Sequence, residues 1–163
     1  MLAILRRVPV VLGAILALAA SPAQAVTLDN LDGPGFEPIY GDYAPGGNCS
    51  LEPRVTIDAS GFTFRAAGTT EQRSKVEFAL SFFGPEYEGP SLVFFPFPLG
   101  EYEFGRVILT VNADEQEGLL RFEDNTGPGD MFTPLEAALV EASTMQLCSA
   151  SATPEAATME PAT

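Results

Sequence analysis

The chain contains no histidine and no tryptophan, and only 8 of its 163 residues are lysine or arginine. Each shortage closes off some chemistry. Histidine is the side chain that titrates near neutral pH and the commonest metal ligand. Its absence excludes Ser-His-Asp and Cys-His catalysis, together with most zinc and haem sites. With 22 acidic residues and a net charge of -14, the chain lacks the clustered cations that hold a phosphate backbone. Nucleic acid is therefore not an expected partner. No G-x-S-x-G motif occurs, and Gly46-Gly47 is followed by no lysine, so a nucleophile elbow and a phosphate loop are also missing.

What is present begins with an address. Residues 1–25 carry Arg6 and Arg7, then an apolar run from Val8 to about Ala20, then Ala23-Gln24-Ala25. That order matches a secretory signal cleaved after Ala25, and the run falls short of the ~20 residues a spanning helix needs. Cleavage removes two arginines, leaving 22 acidic against six basic residues and a mature charge of -16. A periplasmic or secreted location follows. In that compartment Cys49 and Cys148 are expected to pair, closing nearly the whole domain.

Residues 26–37 mix acids, glycine and proline without a period and read as a loose lead-in; 149–163 are small and polar and read as a disordered tail. A single β domain is expected over 38–148. Val55 and Ile57, then Phe62 and Phe64, alternate with polar residues across a three-residue loop, Ala59-Ser60-Gly61. Val76, Phe78, Leu80 and Phe82 alternate over one longer strand. Residues 106–112 and 118–123 form a second hairpin, with further strands at 39–43 and 91–95. Thr133-Pro134-Leu135-Glu136 is a capping box, and Leu135, Leu139, Ala142 and Met145 follow at helical spacing. The expectation is a mainly β fold: a small antiparallel barrel or sandwich of six to eight strands with one C-terminal helix.

The block GDYAPGGNCSLEPRVTIDASGFTFR, residues 41–65, resembles the opening of uncharacterised small secreted bacterial β-proteins. Similar openings occur in lipocalin-like barrels and in some periplasmic lysozyme inhibitors. The resemblance implies an antiparallel β fold with a disulfide near the first strand, and no activity.

Several candidate constellations lose to plainer accounts. Glu86/Glu88, Glu101/Glu103 and Glu123/Asp124 are carboxylate spacings that any acidic chain produces, so a carboxylate-only hydrolase is the least favoured function. The loop 123–130 offers oxygen ligands but reads better as a turn leading into the helix, and no metal or cofactor is expected. Lys75 is expected to pair with a neighbouring acid rather than to serve as a base. The aromatic distribution is more informative. Residues 82–104 hold eight of the sixteen aromatics, interrupted by Pro96 and Pro98, which bar that stretch from the centre of a sheet. These rings either plug one end of a barrel or form a hydrophobic patch ringed by glutamates. The expected function is a non-enzymatic exported binding module with Phe94, Phe95, Phe97, Tyr102 and Phe104 as its surface. Its partner would be an apolar ligand or a basic protein, such as a wall-degrading enzyme, steered by the acidic surface. The alternative is a structural or envelope-stress protein with no ligand.

Overall fold

The computed structural model describes residues 25–80, 82–98 and 104–148. Ten strands form one antiparallel sheet: β1 (Ala25–Leu28), β2 (Gly41–Ala44), β3 (Arg54–Asp58), β4 (Gly61–Ala66), β5 (Thr69–Arg73), β6 (Val76–Ala79), β7 (Leu92–Phe95), β8 (Val107–Val111), β9 (Leu119–Asp124) and β10 (Thr144–Leu147). Their order is β1-β6-β7-β8-β9-β10-β2-β3-β4-β5, curled into a half-barrel. One α-helix among the described residues, α1 (Pro134–Ala142), packs against β4 and β9. The fold is mainly β with one late helix. Its strand count exceeds the expected six to eight.

Period-two alternation places the principal core on the concave face. Val55, Ile57, Phe62 and Phe64 from β3 and β4 meet Leu109 and Val111 of β8, all buried. The rings knit this core across the sheet, with Phe62 at 5.1 Å from Phe94 and Phe64 at 4.9 Å from Phe97. Glu136, at the third position of α1, is buried yet charged. Its carboxylate accepts from Arg106 Nη2 at 2.8 Å and from the Thr133 backbone N–H at 2.7 Å, completing the capping box with Thr133 Oγ1. Burial pushes its pKa up. The hydrogen bonds from Arg106 and Thr133 outweigh that and hold it below the usual value.

The Cys49–Cys148 disulfide is formed, with Cα atoms 5.7 Å apart. It ties the segment after β2 to the end of β10, which β2 already pairs by register. The bond is compatible with an oxidising, exported location. Of the expected signal segment only Ala25 is described, and the expected tail, 149–163, lies outside the described residues.

Four local expectations are corrected. The lead-in is not loose, because Ala25–Leu28 pairs along β6, Leu31 is fully buried and Phe36 packs edge-on to Phe78 at 5.7 Å. The first hairpin loop has two residues, since Gly61 (φ 123°) already pairs with Asp58. A side chain there would collide with the Arg73 carbonyl, so only glycine lets β4 open at that point. The long alternating strand stops at Ala79, and Leu80 and Phe82 are exposed. Its ladder with β7 holds Glu77 opposite Phe95 and Phe78 opposite Phe94, and its ladder with β1 ends at the Ala25–Ala79 pair, so among the described residues no register partner is paired beyond Ala79. Finally, α1 ends at Ala142. Ser143 turns left-handed at φ 60° and starts β10, so Met145 is buried in a strand rather than on the helix.

Candidate functional site

The convex face of the sheet is ordinarily solvated, but over β6, β7 and β8 it is apolar. Ala79, Val93 and Phe95 are buried there, with Ile108 packed against them, as a second cluster separate from the concave core. Something must cover these side chains. Phe104 does so from the loop before β8, its ring 4.8 Å from Phe95. Phe82 lines the same small pocket. Phe82, Phe83 and Phe104 are 41%, 47% and 47% exposed, so the cover is itself a hydrophobic surface.

The segment after β6 builds the rest. Phe82 and Phe83 are adjacent residues that both face solvent, with rings 5.3 Å apart and perpendicular; Phe83 lies 4.7 Å from Tyr87. Tyr87 is held in place because its hydroxyl accepts the Ser91 N–H at 3.1 Å. A side chain at Gly89 would overlap the Tyr87 ring, which explains glycine there. Ser91 Oγ in turn donates to the Asn112 carbonyl at 2.7 Å, joining this loop to the β8–β9 connection.

That connection is unusual. Asn112, Asp114 and Glu115 all adopt left-handed backbone (φ 53°, 54° and 58°), a conformation that non-glycine residues rarely take. Asn112 stabilises it through its side chain, donating to the Pro90 carbonyl at 3.2 Å and accepting from Gly118 N at 2.9 Å. Between the aromatic loop and this connection lies a groove of about 260 Å³. Phe82, Phe83 and Tyr87 line one part of it; Asp114, Glu115, Arg121 and Glu123 supply its charge. Arg121 grips Asp114 through two hydrogen bonds, Nη1 to Oδ1 at 2.9 Å and Nη2 to Oδ2. That bond lowers the Asp114 pKa and raises that of Arg121.

The sequence-derived surface is therefore only partly a surface. Phe94 and Phe97 belong to the concave core, with Phe97 3% exposed against Phe64 and beneath the Arg73 guanidinium at 5.4 Å. Phe95 is buried too, but it forms the floor of the convex patch. Phe104 is about half exposed, and Tyr102 lies outside the described residues. Phe94 fails because strand alternation points it inward between Phe62 and Phe78. The exposed members are Phe82, Phe83 and Tyr87, at the other end of the aromatic segment. Their signal in the sequence was the adjacent pair Phe82-Phe83 followed by Gly84-Pro85, since two neighbouring rings cannot both face a core from one strand. Glu86 and Glu88 are exposed beside them. Nothing in the sequence pointed to Asp114, Glu115 or Arg121.

Other candidates find structural employment. Asp124 Oδ1 accepts from Thr126 N and Oγ1 at 2.7 Å, and Asp130 Oδ2 from Gly127 N at 3.0 Å, so these two carboxylates of the 123–130 loop serve its own turns. Lys75 is exposed and makes no ion pair among the described residues. A cleft of about 510 Å³ opens between the turn before β2 and the β8–β9 connection; Glu117 is the one carboxylate lining it among the described residues. Glu77, beside Phe95 in register, has its pKa raised by burial.

No family model, curated protein or solved structure matches this chain.

Proposed function

We propose that the protein is a non-enzymatic exported interaction module whose working surface is the convex aromatic patch of Phe82, Phe83, Tyr87 and Phe104. The observation that carries this reading is the exposure of three phenylalanines over a sheet face that is itself apolar. Contiguous exposed rings of this kind cost solubility and mark interaction sites. Aromatic side chains also bring large contact area at low conformational cost. A partner that covers the patch completes the burial that Phe104 begins over Phe95 and Ile108. An open patch with polar edges suits a protein partner better than an enclosed ligand.

The test is site-specific photocrosslinking in cells that export the chain, with a benzoylphenylalanine at position 83 or 104. A discrete adduct at both positions is expected, and none at Thr70 on the far edge strand β5. Adducts that are absent at 83 and 104, or identical at Thr70, would remove the reading.

A further inference from the structure

We infer that the groove beside Phe83 and Tyr87 receives an arginine side chain of the partner protein. This deepens the proposed function and rests on it. The groove joins two kinds of surface. One part is ring: Phe82, Phe83 and Tyr87, whose faces carry negative electrostatic potential. The other is carboxylate: Glu115 on the left-handed connection and Glu123 on β9, facing out beside Arg121. Arg121 is already committed to Asp114, so the cationic charge in the groove is neutralised. Glu115 and Glu123 have no ion-pair partner among the described residues.

This arrangement selects by charge and shape. An anion meets two free carboxylates and a compensated guanidinium. A neutral apolar group would strip water from both carboxylates and return no hydrogen bond. A cation satisfies the rings and the carboxylates together. Among cations, a guanidinium is planar, stacks on aromatic faces and donates to a carboxylate through a fork, whereas an ammonium is a compact and strongly hydrated point charge. The volume of about 260 Å³ is enough to seat one side chain. Phe82 lines both this groove and the apolar pocket over Phe95 and Ile108. A segment with an apolar residue near its arginine would fill both. The charge of -14 on the whole chain steers a basic partner toward the surface but does not choose the groove.

The experiment separates site from steering. A hexa-arginine peptide is titrated into the full exported chain near physiological ionic strength, with hexa-glutamine as the uncharged control, and backbone amide shifts are followed by NMR. Shift changes are expected to concentrate at 82–91 and 110–123. The double variant Glu115→Gln/Glu123→Gln should weaken binding at least fivefold, with its melting temperature unchanged. Glu52→Gln/Glu141→Gln removes the same charge from exposed positions outside the groove and should weaken binding less than twofold. Equal losses in the two double variants, or shifts spread over the whole surface, would overturn the arginine assignment. If the photocrosslinked adduct at position 83 survives in that case, the interaction surface stands and only its partner chemistry falls. Loss of the adduct in the wild-type chain would remove both.

Discussion

Replacing Phe97 and Phe83 by alanine in separate variants separates the two faces of the aromatic segment. Phe97 is 3% exposed, packs 4.9 Å from the Phe64 ring and carries the Arg73 guanidinium above it. Truncation removes a phenyl group from a closed site whose walls belong to β4 and β5 and cannot collapse freely. Burial lost plus the cavity left gives about 3–5 kcal/mol. For a domain of this size that is a fall in melting temperature of about 10–20 °C. Phe83 is about half exposed and touches only Phe82 and Tyr87 among the described aromatics. Its truncation forfeits two aromatic contacts at a half-exposed site, about 1–2 kcal/mol in all. Calorimetric or circular-dichroism melts of the two variants at one pH suffice. A Phe97→Ala loss below about 1 kcal/mol, or a Phe83→Ala loss above about 2 kcal/mol, would refute the assignment of these rings to core and surface.

Three further outcomes are expected. Cys49→Ser/Cys148→Ser opens a bridge between residues 99 apart and should cost about 4–5 kcal/mol on the chain-entropy account, read from denaturant titration of the oxidised chain against the variant. Glu136→Ala breaks a buried charge pair with Arg106 and the helix cap together, and should cost about 3–5 kcal/mol. Because the folded pKa of Glu136 lies below its unfolded value, its contribution is full above the unfolded pKa. It is lost as pH falls through the folded pKa, so melts below about pH 4 should show wild type and Glu136→Gln converging. Asn112→Ala removes the hydrogen bonds to Pro90 and Gly118 and places alanine at φ 53°, for a loss of about 2–3 kcal/mol. In that variant, hydrogen exchange should rise across 112–118.

By itself the sequence determined the fold class, the disulfide and the helix start. Alternation in 55–65, 106–112 and 118–123 writes inward-facing strands directly, because the two-residue period assigns every side chain to a face. Thr133-Pro134-Leu135-Glu136 marks the helix start for a similar reason, since a capping box is local hydrogen bonding over four residues. The two cysteines left one intramolecular pairing.

What only the tertiary structure decided lies where partners are distant in sequence. β10 was hidden inside a helical pattern because Met145 suits either period, and the decision rests on β9 and β2 offering backbone partners on both sides. The edge strands β1 and β5 carry weak patterns of their own and exist because β6 and β4 pair with them. The aromatic segment was legible as a cluster, yet its division into core and surface was not. Phe94 turns inward and Phe95 outward on the same strand, and Phe97 turns inward again beyond it. The convex face stays apolar where a solvated one is the rule. The groove was invisible for the same reason. Glu115 and Glu123 meet Phe83 and Tyr87 only because Ser91 bonds to Asn112 across 21 residues, an interaction that no local pattern records.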